Sequence, residues 1–370
     1  CPKVEARMMQ ERMVTALMCA FIADSLAMPV HWYYNVRDIY NAFPGGIQTL
    51  EAAPKRHPSS IMQLHSTAHG GRGAQSGKEV VGDLILKGRR QYWGVPNQHY
   101  HQGMQAGDNT LNAHCLRVLL RTITKSGTYD SSDFLQAYIA FMTADEPLPQ
   151  NDTYAESYHR GFFANLAGGK KPNACAAVTH DTPSVGGLVT IAPVAFAAFA
   201  KGKPLTEVQQ QCRKHLSLTH PDDTLARVCD NYVQLIHGLL TRKEGDDPRA
   251  LLVNAAAAIG LDLPKLAKVG AKSDTAVVGG IFSPACYIDG SYPAILFFAY
   301  KYADAVKDGL CSNCNVGGDN VHRGSVLGII LGLMNPNVTH SDGELGPFFP
   351  RLLSHQAIEG EVSQFVASIF

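Results

Sequence analysis

Asn315-Val316-Gly317-Gly318-Asp319-Asn320-Val321-His322-Arg323-Gly324 runs directly into Ser325-Val326-Leu327-Gly328-Ile329-Ile330-Leu331-Gly332-Leu333-Met334. The first segment gathers a glycine pair, a carboxylate, an amide, an imidazole and a guanidinium; the second is almost wholly apolar. Gly-Gly followed by Asp or Asn and then an apolar run reads as a loop that caps a helix. Gly324, Gly328 and Gly332 recur at every fourth residue, which on a helix is one flat stripe for close approach of a second helix. Glycine costs up to about 1 kcal/mol per site in a helix interior, so tight packing must offset it. The apolar run is too short to cross a bilayer. The polar head therefore sits on a buried rod, which is how a site is held rigidly.

A similar device stands upstream. Gly107-Asp108-Asn109-Thr110 precedes Leu111, Cys115, Leu116, Val118 and Leu119, an apolar face at helical spacing. One such cap is ordinary; two, each on a helix that must be buried, point to a shared site. Residues 5 to about 28 read as an amphipathic helix ended by Pro29, with Val14, Leu17, Met18, Phe21 and Ile22 on one face. His31-Trp32-Tyr33-Tyr34 follows at once, either a hydrophobic plug or a wall on which a planar ring stacks.

On these stretches the chain resembles the ADP-ribosylglycohydrolase family. Ala16-Leu17-Met18-Cys19-Ala20-Phe21-Ile22-Ala23-Asp24-Ser25-Leu26-Ala27-Met28-Pro29 is similar to the family's opening helix and its Gly-Asp-Ala-like turn. Gly107-Asp108-Asn109-Thr110 is similar to its Thr-Asp-Asp-Thr metal motif, and Gly317-Gly318-Asp319-Asn320-Val321-His322 to its Gly-Gly-Asp-Thr-Asp-Thr motif. Met28-Pro29-Val30-His31-Trp32-Tyr33-Tyr34, Asn109-Thr110-Leu111-Asn112-Ala113 and the run from Asp319 to Gly324 further resemble the branch with jellyfish lens J crystallins and selenoprotein J. The resemblance implies an all-α, single-domain orthogonal bundle over residues 1–370. It places Asp108 and Asp319 as catalytic groups and metal ligands, and Asp24, Trp32, Tyr33, Asn109, Thr110, Asn320, His322 and Arg323 as ligand-binding residues.

The departures are as informative. The family's hydrolases hold two magnesium ions between the two motifs. Here Gly107 replaces a threonine, Asn109 an acid, Val321 an acid and His322 a threonine. Magnesium asks for oxygen ligands in near-octahedral geometry, so the resemblance implies at most one ion, with His322 or Arg323 as compensating cations.

The rest of the chain bounds the answer. Apolar residues make up 45%, enough for a large core, and 32 basic residues balance 32 acidic ones. That balance gives no electrostatic footprint for nucleic acid, and no membrane span or signal peptide is read. Most of the nine cysteines are scattered, which reads as buried free thiols and a reducing, cytoplasmic setting. Cys311-Ser312-Asn313-Cys314 is a weak zinc or redox signal, with His65 and His69 as conceivable partners. Residues 43–107 are irregular. Gly70-Gly71-Arg72-Gly73-Ala74-Gln75-Ser76-Gly77-Lys78 fails as a phosphate loop because Glu79 stands where Ser or Thr belongs. Trp93, His99, Tyr100 and His101 line or cover the site. Helical periodicity recurs near 132–143, 153–166, 188–200, 205–218, 223–240, 247–259, 291–306, 319–334 and 355–369. Asn151-Asp152-Thr153-Tyr154-Ala155-Glu156-Ser157-Tyr158-His159-Arg160 carries a reactive set, and Glu156 with Arg160 reads as a surface ion pair. Thr182-Pro183-Ser184-Val185-Gly186-Gly187 resembles the loop before the family's central helix. No Gly-x-Ser-x-Gly elbow occurs. Two functions compete: hydrolysis of an N- or O-glycosidic bond of an ADP-ribose-like substrate, and a non-enzymatic crystallin-like or nucleotide-binding role.

Overall fold

The computed structural model describes residues 2–64, 80–145 and 152–370. The His65 and His69 pair and the glycine-rich stretch from Gly70 to Lys78 lie outside the described residues, as does Asn151. Among the described residues the fold is all-helical, with isolated β-bridges and no strand. The helices are α1 (Pro2–Ala27), α2 (Val36–Ala42), α3 (Leu111–Ser126), α4 (Ser131–Met142), α5 (Ser157–Ala167), α6 (Ile191–Ala200), α7 (Leu205–Ser217), α8 (Asp223–Thr241), α9 (Arg249–Ala257), α10 (Leu263–Val269), α11 (Ile288–Lys301), α12 (Val306–Asn315), α13 (Asn320–Met334) and α14 (His355–Ile369).

The glycine stripe does what its spacing predicts. Every residue of α13 is buried. A Cβ on Gly328 would stand 2.7 Å from the Cys19 carbonyl oxygen, and one on Gly332 would stand 2.6 Å from Ala16 Cα. The α1 and α13 backbones thus pack with no side chain between them at these points, and α1 offers the small residues Ala16, Cys19 and Ala23 along the seam. Helix α1 is not amphipathic as its sequence suggests. From Arg12 to its end it is buried on nearly all sides, because α13, α14, α12 and α8 surround it. It is long and apolar enough to cross a membrane by length and composition, yet its apolar window lies almost entirely inside the fold.

Local side-chain caps set four of the helix starts, those of α2, α4, α8 and α10. The side chain of Asp130 accepts from Ser132 N and Asp133 N, and that of Asp222 from Leu225 N, as N-cap residues do. Helix α5 begins at Ser157, later than its periodicity suggests. Asp152 Oδ1 accepts from Thr153 N at 2.7 Å and Tyr154 N at 3.1 Å, which holds the preceding residues in a turn. Helix α12 carries little periodicity in Cys311-Ser312-Asn313-Cys314-Asn315. Its amides are held by tertiary bonds instead: Asn313 to Arg323 and Asn315 to both backbone groups of Ile47. Cys311 and Cys314 are free and buried.

The two Gly-Asp-Asn segments are not equivalent. Asp319 is the residue directly before α13. Asp108 lies three residues before α3, whose N-cap is Thr110. Neither Asp319 nor Thr110 caps with its own side chain. Leu111 N is capped from a distance by Asp152 Oδ2 at 2.8 Å.

The seam gives a direct test. Gly332→Val gains helix propensity, by less than about 1 kcal/mol, but places a branched side chain against the Ala16 backbone. Denaturant unfolding is expected to show a net loss of about 1–3 kcal/mol, as over-packed cores do. A stabilised variant would contradict the close approach.

Candidate active site

Gly317 and Gly318 adopt left-handed φ values of 73° and 71°, which glycine alone tolerates without strain. A Cβ on Gly318 would overlap the Pro284 carbonyl oxygen, and one on Gly317 that of Tyr33. Gly318 N donates to Tyr33 O and Trp32 N donates to Gly318 O, both at 2.8 Å, while Asp319 N donates to Pro284 O at 2.9 Å. The glycine pair therefore clamps three segments together, and Asp319 emerges from the clamp at the head of α13.

Asp319 is 1% exposed. Its Oδ1 lies 2.8 Å from His31 Nε2, and its Oδ2 lies 3.0 Å from His322 Nδ1. The contacts continue on both sides. His31 Nδ1 lies 2.7 Å from His101 Nε2, and His101 Nδ1 lies 2.7 Å from Asp152 Oδ1. His322 Nε2 lies 3.1 Å from Glu156 Oε1 and 2.8 Å from the Asn112 amide. The result is one buried chain, Asp152–His101–His31–Asp319–His322–Glu156. Its segment between Asp152 and Asp319 needs three N–H groups on two rings, one more than two neutral imidazoles carry.

Burial alone would raise the pKa of Asp319. The charge of His322 and the hydrogen bonds from His31 and His322 outweigh it, and hold the carboxyl well below its ordinary range. Burial would likewise lower His322. The Asp319 carboxylate, joined by Glu156, instead keeps its proton on well above the ordinary histidine value. His31 goes the other way: desolvation dominates and brings it down to about 3. Asp24 is pushed up by burial, although Thr110 and Asn109 bond to it.

One end of this buried chain opens on a cavity of about 630 Å³. Asp319, His322 and Glu156 form part of its wall, and Trp32, Tyr34, Tyr100, Tyr154 and Tyr158 supply aromatic surface. The loop Thr182–Gly187 contributes Ser184 and Gly186, pinned by Val185 N donating to Cys286 O at 2.9 Å. Trp32 has a φ of 60°, a strained setting for a bulky residue. Its ring stacks on His31 at 3.6 Å between centroids.

Several sequence expectations need correction. Asp108 does not join Asp319: its Oδ2 accepts from Gln105 N at 2.7 Å, in a turn, because the helix after it starts two residues later than at the other motif. Asp24, Asn109 and Thr110 are engaged with one another. Asn109 Nδ2 donates to Asp24 Oδ1 at 3.0 Å and Thr110 Oγ1 to Asp24 Oδ2 at 2.6 Å, behind the cavity wall. Tyr33 is buried against His57, and its neighbour Tyr34 reaches the cavity in its place. Asn320 Nδ2 donates to the carbonyls of Val30 and Cys314, a packing role. Arg323 is fully buried away from the cavity, with its guanidinium donating to Asn313 Oδ1 and to the carbonyls of Asn313, Gly317 and Pro284. Asp319 is compensated instead by the charge of His322, with hydrogen bonds from His322 and His31. Glu156 and Arg160 do not form the surface pair their spacing suggests. Arg160 is buried against Ala155 O and the rings of Trp93 and Tyr154, and Glu156 turns to His322.

His31, His101, Asp152 and Glu156 carry the network; of these the sequence marks only His101 as a residue that lines or covers the site, and it reads Glu156 as half of a surface ion pair. Their signals were present in the aromatic cluster, in the histidines before Gly107 and in the reactive stretch at 151–160. Nothing in the sequence pairs them.

The fit to a magnesium pair is poor. The motif acid Asp108 is turned away and Asp24 is occupied. Among the described residues, the one group with metal-ligand spacing is His31, Asp319 and His322, two nitrogens and a carboxylate. Magnesium prefers an all-oxygen shell, which two imidazoles and one carboxylate do not supply.

The chain belongs to the ADP-ribosylglycohydrolase family, whose profile matches residues 6–335. A solved structure described as an ADP-ribosylglycohydrolase-related protein complex shares the all-helical fold, with a TM-score of 0.60 and 15% identity over 98% of this chain and 100% of that one. A comparison with curated proteins finds no match.

Removing His322 leaves Asp319 short of one of its two partners in a dry place. His322→Gln is expected to cost about 3–5 kcal/mol, as breaking a buried ion pair does. His322 binds its proton more tightly folded than unfolded. Its contribution is therefore full below its ordinary value of 6.5 and fades as pH rises through the raised folded value. In chelator-treated protein, the gap in unfolding free energy between wild type and His322→Gln should narrow on the alkaline side. A gap that widens there would refute this assignment of charge.

Proposed function

We propose that the protein hydrolyses an N- or O-glycosidic bond of an ADP-ribose-like substrate in this cavity. The observation that carries the reading is Glu156. Glu156 lines the cavity; its Oε1 is anchored by His322, while its Oε2, buried and 3.4 Å from His159 Nε2, makes no hydrogen bond in the structure. A carboxylate oxygen so placed is available as a general base. It would take a proton from water as the water oxygen bonds to the anomeric carbon. The glycosidic bond breaks with its electrons on the leaving nitrogen or oxygen, which takes the proton back from Glu156. Trp32 and the tyrosines supply a stacking surface for adenine or another planar ring. His322 and Asp319 fix the carboxylate in place. Family membership and the free thiols of the described cysteines support an ADP-ribose-type ligand and a reducing, cytoplasmic setting respectively.

The turned-away Asp108 and the occupied Asp24 favour a second reading, an ADP-ribose-binding or crystallin-like protein without turnover, in keeping with the resemblance to the J crystallin branch. The two readings separate in one experiment. ADP-ribosyl-arginine, ADP-ribosyl-serine and O-acetyl-ADP-ribose are offered with and without divalent metal, and release of ADP-ribose is followed beside calorimetric binding. Turnover with at least one substrate is expected. Binding without turnover selects the second reading, and absence of both overturns the pair.

Glu156→Gln should lower the rate about 10²–10⁴-fold, the usual worth of a general base, with binding of ADP-ribose retained. Tryptophan fluorescence should respond to ADP-ribose in wild type and lose most of that response in Trp32→Phe, since Trp93 lies behind Tyr154. An unchanged rate in Glu156→Gln would remove the base from the mechanism.

A further inference from the structure

We propose that His31 Nε2, Asp319 and His322 Nδ1 bind one divalent transition-metal ion of the zinc class at the floor of the cavity. The inference deepens the hydrolase reading and rests on it only for the ion's role, which would be to polarise the attacking water of that reaction.

The first support is geometric. The three ligand atoms lie within 4.8 Å of one another and all three residues are buried. The nitrogens stand 2.8 and 3.0 Å from the Asp319 oxygens. Two ligands each about 2.1 Å from a tetrahedral ion are about 3.4 Å apart, so each nitrogen–oxygen separation would open by about half an ångström. Small side-chain shifts therefore admit an ion where two protons now lie between nitrogen and oxygen.

The second is the shell behind the ligands. A metal-bound histidine donates its other ring N–H to an acceptor that fixes its tautomer. His322 Nε2 faces Glu156 Oε1 at 3.1 Å and the Asn112 amide at 2.8 Å; on a metal-bound ring its N–H is directed to the carboxylate. His31 Nδ1 faces His101 Nε2 at 2.7 Å, and His101 Nδ1 faces Asp152 Oδ1 at 2.7 Å. With an ion on His31 and His322, all three rings are neutral and each carries one N–H with an acceptor. Without an ion, the same contacts require extra protons on buried rings. The chain from Asp152 to Glu156 is thus complete as the outer shell of an ion.

The third is chemical class and access. Two imidazoles and one carboxylate suit zinc and its neighbours in the first transition row, and suit magnesium poorly. Asp319 and His322 line the cavity, so a remaining coordination position would face the ligand, as in catalytic zinc sites.

The test uses the full chain, stripped with chelator and dialysed against micromolar free zinc or cobalt, with magnesium in parallel. One equivalent of zinc or cobalt and no stoichiometric magnesium are expected. X-ray absorption of the zinc form should show nitrogen and oxygen neighbours, including two imidazoles, and no sulfur. His31→Gln should lose the equivalent. Asp152→Asn, which touches no ion, should weaken binding about 10–100-fold through His101. Sulfur in the first shell, uptake of magnesium instead, no stoichiometric ion in wild type, or undiminished uptake in folded His31→Gln would each overturn the proposal. If His31→Gln does not fold, the wild-type absorption spectrum decides alone. Metal content is read without turnover. A loaded but inactive protein counts against the hydrolase reading only, and an active protein that takes up no ion overturns this inference only.

Discussion

Asp319 carries a negative charge on a side chain that is 1% exposed, and the structure around it is arranged to keep that charge. An isolated carboxylate in such a place would take up a proton or unfold its surroundings. Two imidazoles in direct contact prevent this, one from the loop after α1 and one from the first turn of α13. They come together only because the two helices pack backbone to backbone along the glycine stripe. The clamp at Gly317 and Gly318 then fixes Trp32 and Tyr33 against the head of α13. The packing of the rod and the charge of the site are therefore one problem: a looser seam would let His31 leave Asp319.

The rod was legible in the sequence because its signal is local. Three glycines at a spacing of four in an apolar run admit few other readings, and the structure places a neighbouring backbone at Gly328 and Gly332. Asp319 and His322 were legible for the same reason, three residues apart at a helix start. The remainder of the network was not, because its contacts join residues 51 to 288 positions apart. His31 reads as one ring in an aromatic cluster, and Asp152 and Glu156 as parts of a reactive stretch. Glu156 and Arg160 illustrate the limit. Their spacing of four is that of an exposed helical pair, but Glu156 precedes α5 and Arg160 points into the core. No local pattern distinguishes the two cases.

Asp108 shows how a motif can mislead at the level of register. Gly-Asp-Asn occurs twice, but α3 starts two residues later relative to it than α13 does. That shift sends the Asp108 side chain into its own turn. The work of capping α3 passes to Asp152, from the segment that also supplies Glu156. The substitution of Asn109 for an acid is consistent with this geometry. An amide donates to Asp24 and to the Phe21 carbonyl, which a second carboxylate could not do, and it adds no charge to a region that already buries Asp24, Asp152 and Asp319.

Charge balance connects these substitutions. In relatives with a magnesium pair, as the resemblance implies, several carboxylates converge and the ions neutralise them. Here acids are replaced by Asn109 and Val321, and a threonine by His322, so both the anions and the oxygen donors are fewer. The anions that remain are spaced along a chain of imidazoles, each within hydrogen-bond reach of the next. Such a chain can be neutralised by protons on its rings or by one divalent ion between two of them; in both cases two positive charges enter and the heavy-atom contacts stay nearly the same. Arg323 cannot take that part. Its donors are committed to the carbonyls that hold the α12–α13 turn, and burial lowers its pKa to about 10. The compensating charge at Asp319 therefore resides on groups that can exchange a proton for a metal. Such exchange is open to imidazole and closed to guanidinium.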